Sequence, residues 1–172
     1  MHLIWSHGKD SGPWGSKSKV LAETAKARGF DMQALDYQRT KDPDERVRML
    51  RGHLDSLEGP VALAGSSMGG YVSVAAAQEL DMAGDPRVSA LFVMAPALYL
   101  PGYHWIDFPH LQVPDVEIVA GWRDEIVPVE NIERFARIHR AKLHVFDAEH
   151  RLGEAMDAIA LLFGAFLDRL PL

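Results

Sequence analysis

No cysteine occurs among the 172 residues. That absence excludes disulfide staples, thiolate nucleophiles and cysteine-ligated metal sites at once. Also missing is any apolar run long enough to span a bilayer, so no membrane partner is expected. The chain runs from Met1-His2 straight into Leu3-Ile4-Trp5, without a basic leader or a long apolar one. No signal peptide is therefore expected, and a cytoplasmic location is. Positive charge is in deficit, with 18 Lys and Arg against 24 Asp and Glu. The resulting formal net charge of −6 argues against nucleic acid or an anionic lipid surface as partner. There is neither an H-E-x-x-H pattern nor a clustered acidic loop, so no metal and no cofactor is expected. What remains is ordinary for a globular protein: 48% hydrophobic and 24% charged residues, at a length that suits one domain over 1–172. There are no internal repeats and no linker, and composition leaves the oligomeric state open.

The most informative stretch is Val61-Ala62-Leu63-Ala64-Gly65-Ser66-Ser67-Met68-Gly69-Gly70-Tyr71. An apolar run of strand length meets a Gly-flanked serine, then turns helical, with Val72, Ala75, Ala76 and Leu80 at helix spacing. This is G-x-S-x-G in strand–turn–helix context. Such a turn strains the serine backbone and leaves its Oγ exposed at the carboxyl end of a sheet. Gly65 and Gly69 stand where a Cβ would collide with neighbouring backbone.

Elsewhere, apolar runs over 2–6, 31–35, 88–94, 116–120 and 142–146 predict five further strands. Helices are expected over 15–28, from Pro43 to the Gly59-Pro60 stop, from Pro128 onward, and over 153–170. Asp42-Pro43-Asp44-Glu45 is a strong start signal, with Asp42 as cap and Glu45 completing a capping box. Between 95 and 114, four prolines interleave with Tyr99, Tyr103, Trp105 and Phe108, which reads as an excursion over the top of the sheet. Strands that are continuously apolar are buried on both faces. The expected fold is a three-layer α/β/α sandwich around a six-stranded, mostly parallel sheet.

Ligands bind such a sheet at the carboxyl ends of its strands. The residues just past those ends are Ser6-His7-Gly8-Lys9, Ser67, Asp124 and His150. Ser67 is the candidate nucleophile, His150 the base that takes its proton, and Asp124 the acid that orients the imidazole. Asp147, Glu125 and Glu149 compete with Asp124 for that role. The backbone N–H groups of Met68 and Lys9 are candidates for an oxyanion hole. His7, Tyr71, Tyr103 and Trp122 could line a substrate pocket, although His7 also suits a brace for the first loop, and Tyr71 and Trp122 suit core or rim packing. His104 and His110 are read as solvated or packing residues.

With Gly65-Ser66-Ser67-Met68-Gly69-Gly70-Tyr71, Asp124-Glu125-Ile126-Val127 and His150 in view, the chain resembles the α/β-hydrolase superfamily from Leu3 to Leu170. It is similar to small bacterial esterase-like enzymes without a lid domain. The resemblance implies a Ser67–His150–Asp124 triad and a small-molecule acyl substrate, a carboxylic ester first. Thioesters, small amides or peptides, and a non-catalytic binding role on the same fold are the alternatives. Three departures stand out: the first antiparallel strands of the family are missing, the segment between the fourth and fifth strands is too short for a lid domain, and Arg151 follows His150 where an apolar or small residue is expected.

Overall fold

The strands form because β-branched and apolar residues run together with no polar face to spare. Val61, Ala62, Leu63 and Ala64 are all fully buried, as strands covered on both sides must be. The computed structural model describes residues 1–172. In chain order it contains β1 (His2–Ser6), α1 (Ser16–Lys26), β2 (Met32–Leu35), α2 (Pro43–Asp55), β3 (Val61–Ser66) and α3 (Met68–Met82). These are followed by β4 (Val88–Met94), β5 (Asp115–Gly121), α4 (Val129–His139), β6 (Lys142–Phe146), a 3₁₀ turn (Gly153–Ala155) and α5 (Met156–Leu167).

The six strands make one sheet in the order β2-β1-β3-β4-β5-β6. Every pairing is parallel, so the sheet is wholly parallel rather than mostly so. The alternation of side chains along β1 divides the core in two. Ile4 faces a cluster with Val47 and Leu50 of α2, Val72 of α3 and Phe135 of α4. Leu3 and Trp5 face the opposite cluster, with Leu21 of α1 and Phe163 of α5. Right-handed crossovers account for this sorting. The chain moves one way from β1 to β2 and then the other way through β3 to β6, so its connections change face.

That reversal leaves β1 and β3 side by side with their carboxyl-end loops diverging. It is the switch point at which open parallel sheets bind ligands. The loop after β1 and the Ser67 turn after β3 meet there.

Three local expectations are corrected. Asp42 does cap α2, accepting from the Asp44 N–H at 2.9 Å, but Glu45 turns away to Arg39 at 3.2 Å and closes no capping box. The last helix begins as a tight 3₁₀ turn after Leu152, whose φ of 57° breaks regular winding, and ends at Leu167 rather than 170. The segment after β4 does not stay above the sheet. It descends beside α3: the Trp105 N–H donates to Tyr71 Oη at 3.0 Å, that of His110 to Gln78 at 3.2 Å, and that of Gln112 to Asp81 at 2.7 Å. It is thus the β4–β5 crossover, built without a helix and held by side chains of α3.

No helix is long and apolar enough to cross a membrane.

Candidate active site

Ser67 sits between β3 and α3 with φ 54° and ψ −121°. An L-residue there is strained by about 1–3 kcal/mol, so the surroundings must hold it. They do so from both sides. Its N–H donates to Met94 O at 2.9 Å, and its carbonyl accepts from the Ala97 and Tyr71 N–H groups at 2.9 and 3.1 Å. The flanking glycines are required by crowding. A Cβ on Gly65 would lie 2.5 Å from Gly69 O, and one on Gly69 would strike the carbonyl of Ser6. The chain turns here within the space that hydrogen atoms alone occupy.

His150 arrives on the loop after β6, and its ring bridges two elements. Nε2 lies 2.9 Å from Ser67 Oγ, while Nδ1 lies 2.8 Å from Asp124 Oδ2. The Asp124 side chain is only 2% exposed. Its second oxygen accepts from the N–H groups of Ile126 and Val127 at 2.9 and 2.8 Å. Burial pushes this carboxyl up, but the hydrogen bonds from His150 and the two backbone donors outweigh it and hold the group below the ordinary range. A carboxylate in that state fixes a proton on Nδ1 and leaves Nε2 free to accept from the serine.

The first loop is braced by two residues. His7 is 1% exposed; its Nδ1 donates to Gly8 O at 2.8 Å and its Nε2 accepts from the Tyr37 N–H at 2.9 Å. Burial lowers its pKa, consistent with a neutral ring. Arg46 is fully buried with no carboxylate beside it. Instead, Nη1 reaches the carbonyls of His7 and Gly8 at 3.3 and 3.1 Å, Nη2 that of Lys9 at 3.1 Å, and Nε that of Thr40 at 2.9 Å. Three successive carbonyls of the loop are thereby turned toward α2. The Lys9 N–H takes part in no backbone hydrogen bond, and that of Met68, first in its helix, has none by position.

An arrangement of this kind invites comparison with solved structures. A protein from Xanthomonas campestris pv. campestris, an inferred hydrolase of the alpha/beta superfamily, superposes with a TM-score of 0.84. It is 28% identical, and the match covers 98% of this chain and 99% of that one. The chain has the α/β-hydrolase fold. Two less similar structures share the fold. Est1E from Butyrivibrio proteoclasticus is 18% identical at a TM-score of 0.73, over 96% of this chain and 86% of that one. The Pyrococcus furiosus esterase Pf2001 is 19% identical at 0.74, over 98% and 82%. No protein-family profile matches the chain, and no curated protein does.

Of the four residues expected to line a pocket, His7 and Tyr71 are withdrawn from the surface, while Tyr103 and Trp122 retain exposure. His7 and Tyr71 are buried and hydrogen-bonded within the protein, Tyr71 through the Trp105 N–H, so neither offers surface to a ligand. Tyr103 is half-buried and stacks edge-on against Tyr71 at 4.6 Å. Trp122 is 57% exposed beyond the end of β5. Asp147 faces Arg123 at 2.7 Å, and Glu149 faces the same guanidinium at 3.4 Å. Neither competes with Asp124 for His150.

Sequence reasoning missed Arg46 and Gly121. Arg46 belongs to no motif, although its place one residue before Val47, on the apolar stripe of α2, was a usable signal. Gly121 carried no motif. A Cβ there would strike the carbonyl of Ala148 and approach that of Glu149 to 3.2 Å, the two residues that lead into His150.

Proposed function

We propose that the chain is a serine hydrolase that cleaves small carboxylic esters through an acyl-enzyme. The observation carrying this reading is the continuous hydrogen-bonded line Asp124–His150–Ser67, at 2.8 and 2.9 Å, ending on a serine held at φ 54°. Hydrolases and esterases among the structural neighbours support the coarser reading of a hydrolase.

In the first half-reaction the Ser67 Oγ–H proton passes to His150 Nε2 while Oγ bonds to the ester carbonyl carbon. The carbonyl electron pair moves onto oxygen, where the Met68 and Lys9 N–H groups stabilise it. Collapse breaks the bond to the alcohol oxygen, which leaves with the proton from Nε2. A water then repeats the sequence: it gives a proton to His150, attacks the acyl carbon, and frees the acid as Ser67 recovers its proton. Throughout, Asp124 stays ionised and stabilises the imidazolium that forms twice.

The test is covalent labelling with a fluorophosphonate, read by intact mass and by the modified peptide. One adduct on Ser67, absent in Ser67→Ala, together with hydrolysis of a short-chain nitrophenyl ester, is the expected result. An unlabelled, inert but folded protein would favour a binding role on the same fold.

A further inference from the structure

The turn that carries Ser67 has a cation against it that ester hydrolysis as such does not use. Lys17, in the first turn of α1, donates from Nζ to Ser66 Oγ at 3.2 Å. Ser66 is buried and immediately precedes the nucleophile. Lys17 is itself partly buried, yet it forms no ion pair, and neither does Arg151, the residue after His150. Burial holds the Lys17 pKa below its ordinary value; the Arg151 charge adds to this and the Asp124 charge opposes it. The Asp124 carboxylate is engaged by His150 and two backbone donors and forms no direct ion pair with Lys17, so it acts on the ammonium only at a distance.

A partly buried ammonium without a carboxylate costs free energy. So does holding it near a second cation. Nearby Arg123 shows the opposite pattern, matched by Asp147, Glu149 and Glu154. In a chain of net charge −6, unmatched positive charge beside the nucleophile is explained if a ligand brings the missing negative charge.

We propose that Lys17 and Arg151 form an anion subsite beside Ser67, and that the substrate is a small ester carrying a second, ionised carboxylate. The proposal deepens the ester-hydrolase reading and rests on it. Lys17 supplies the partly desolvated contact, while Arg151, exposed at the rim, adds longer-range attraction that salt screens. The carboxylate could belong to the acyl part or to the alcohol part, and the two sources are distinguishable.

The experiment pairs esters that differ in charge. Mono-4-nitrophenyl glutarate is compared with 4-nitrophenyl pentanoate for the acyl side, and acetoxyacetate with its methyl ester for the alcohol side. In at least one pair, the wild type is expected to favour the anion by about tenfold or more in kcat/KM, the scale of one added charged contact. Lys17→Met should erase most of that ratio through KM, Lys17→Arg should retain it, and Arg151→Gln should reduce it less. High salt should erode it in the wild type. No preference in either pair, or a Lys17→Met loss that is equal for charged and neutral esters, overturns the proposal. Should no ester be turned over, the hydrolase reading has failed on its own, and the subsite is then judged by glutarate. A glutarate-induced rise in melting temperature that Lys17→Met abolishes sustains the subsite, and no rise overturns it.

Discussion

Asp124 and His150 are 26 residues apart in the chain, yet the carboxylate of one accepts from the ring of the other at 2.8 Å. Asp147, only three residues before His150, turns outward to Arg123 and is 84% exposed. Adjacent strands β5 and β6 bring their carboxyl ends together, and that proximity outweighs closeness in sequence.

The two carboxylates should therefore respond differently to amide replacement. Asp124→Asn presents an N–H₂ where a carboxylate accepted, disfavouring the useful tautomer and leaving the imidazolium uncompensated. A loss in kcat of roughly three to four orders of magnitude with little change in KM is expected for ester hydrolysis. Asp147→Asn removes one exposed ion pair, of a kind that contributes little in water, and should leave kcat nearly untouched. Should the two outcomes be interchanged, Asp124 is not the orienting acid.

Arg46 should govern the first loop. Replacing it with Ala leaves four carbonyls short of a donor and opens a cavity, a loss on the order of 3–5 kcal/mol in urea unfolding. Arg46→Lys keeps the charge but cannot span the carbonyls of His7, Gly8 and Lys9 together. In that milder variant kcat should fall by about tenfold or more while KM changes little, the mark of a donor displaced from the developing oxyanion. An unchanged kcat in a measurably destabilised Arg46→Lys would confine Arg46 to stability.

Two glycine substitutions make an internal control. At Gly121 an added methyl meets the backbone of Ala148 and Glu149, so Gly121→Ala should destabilise by about 1–3 kcal/mol through overpacking and disturb His150. At Gly52, in the middle of α2, nothing lies within 4 Å, and Gly52→Ala should stabilise by about 0.5–1 kcal/mol through helix propensity. Chemical denaturation of both, with ester turnover of the first, decides the matter. Equal effects would sink the packing argument.

The buried His7 sets a pH dependence of stability. Burial holds its folded pKa below the ordinary 6.5, the Arg46 charge adds to this, and the Gly8 carbonyl and Asp36 oppose it. Below 6.5 the unfolded chain takes up a proton that the folded chain refuses. The unfolded state then binds more protons, so stability falls with pH from about 6.5 down to the lowered folded pKa and levels off beneath it. The difference in melting temperature between wild type and His7→Asn, followed from pH 8 to 5, should narrow across that window. Parallel curves would show that His7 does not contribute the slope.

Much of the local structure was legible because it rests on local causes. The helix start at Asp42-Pro43 follows from a cap and a fixed φ, and the strand–serine–helix turn from glycines that no other residue can replace. The errors arose where a polar group had more than one partner within reach. Glu45 had a choice of partners and took Arg39 over the helix terminus. The 95–114 segment showed no period because its backbone groups are satisfied by Tyr71, Gln78 and Asp81 of α3 rather than by its own neighbours. Its path could not be read from within it.

The sequence by itself determined the order of elements, the position of the Ser67 turn, and the short set of polar residues that follow strand ends. Each is a consequence of hydrophobic period or of backbone sterics acting over a few residues. Only the tertiary structure decided that β1 lies between β2 and β3, that Arg46 is buried under the first loop, that Lys17 reaches Ser66, and that Gly121 gives passage to the His150 loop. Those contacts join residues roughly thirty to fifty positions apart. Their energy depends on which surfaces the parallel sheet sets face to face, and that is a property of the assembled layers rather than of any segment.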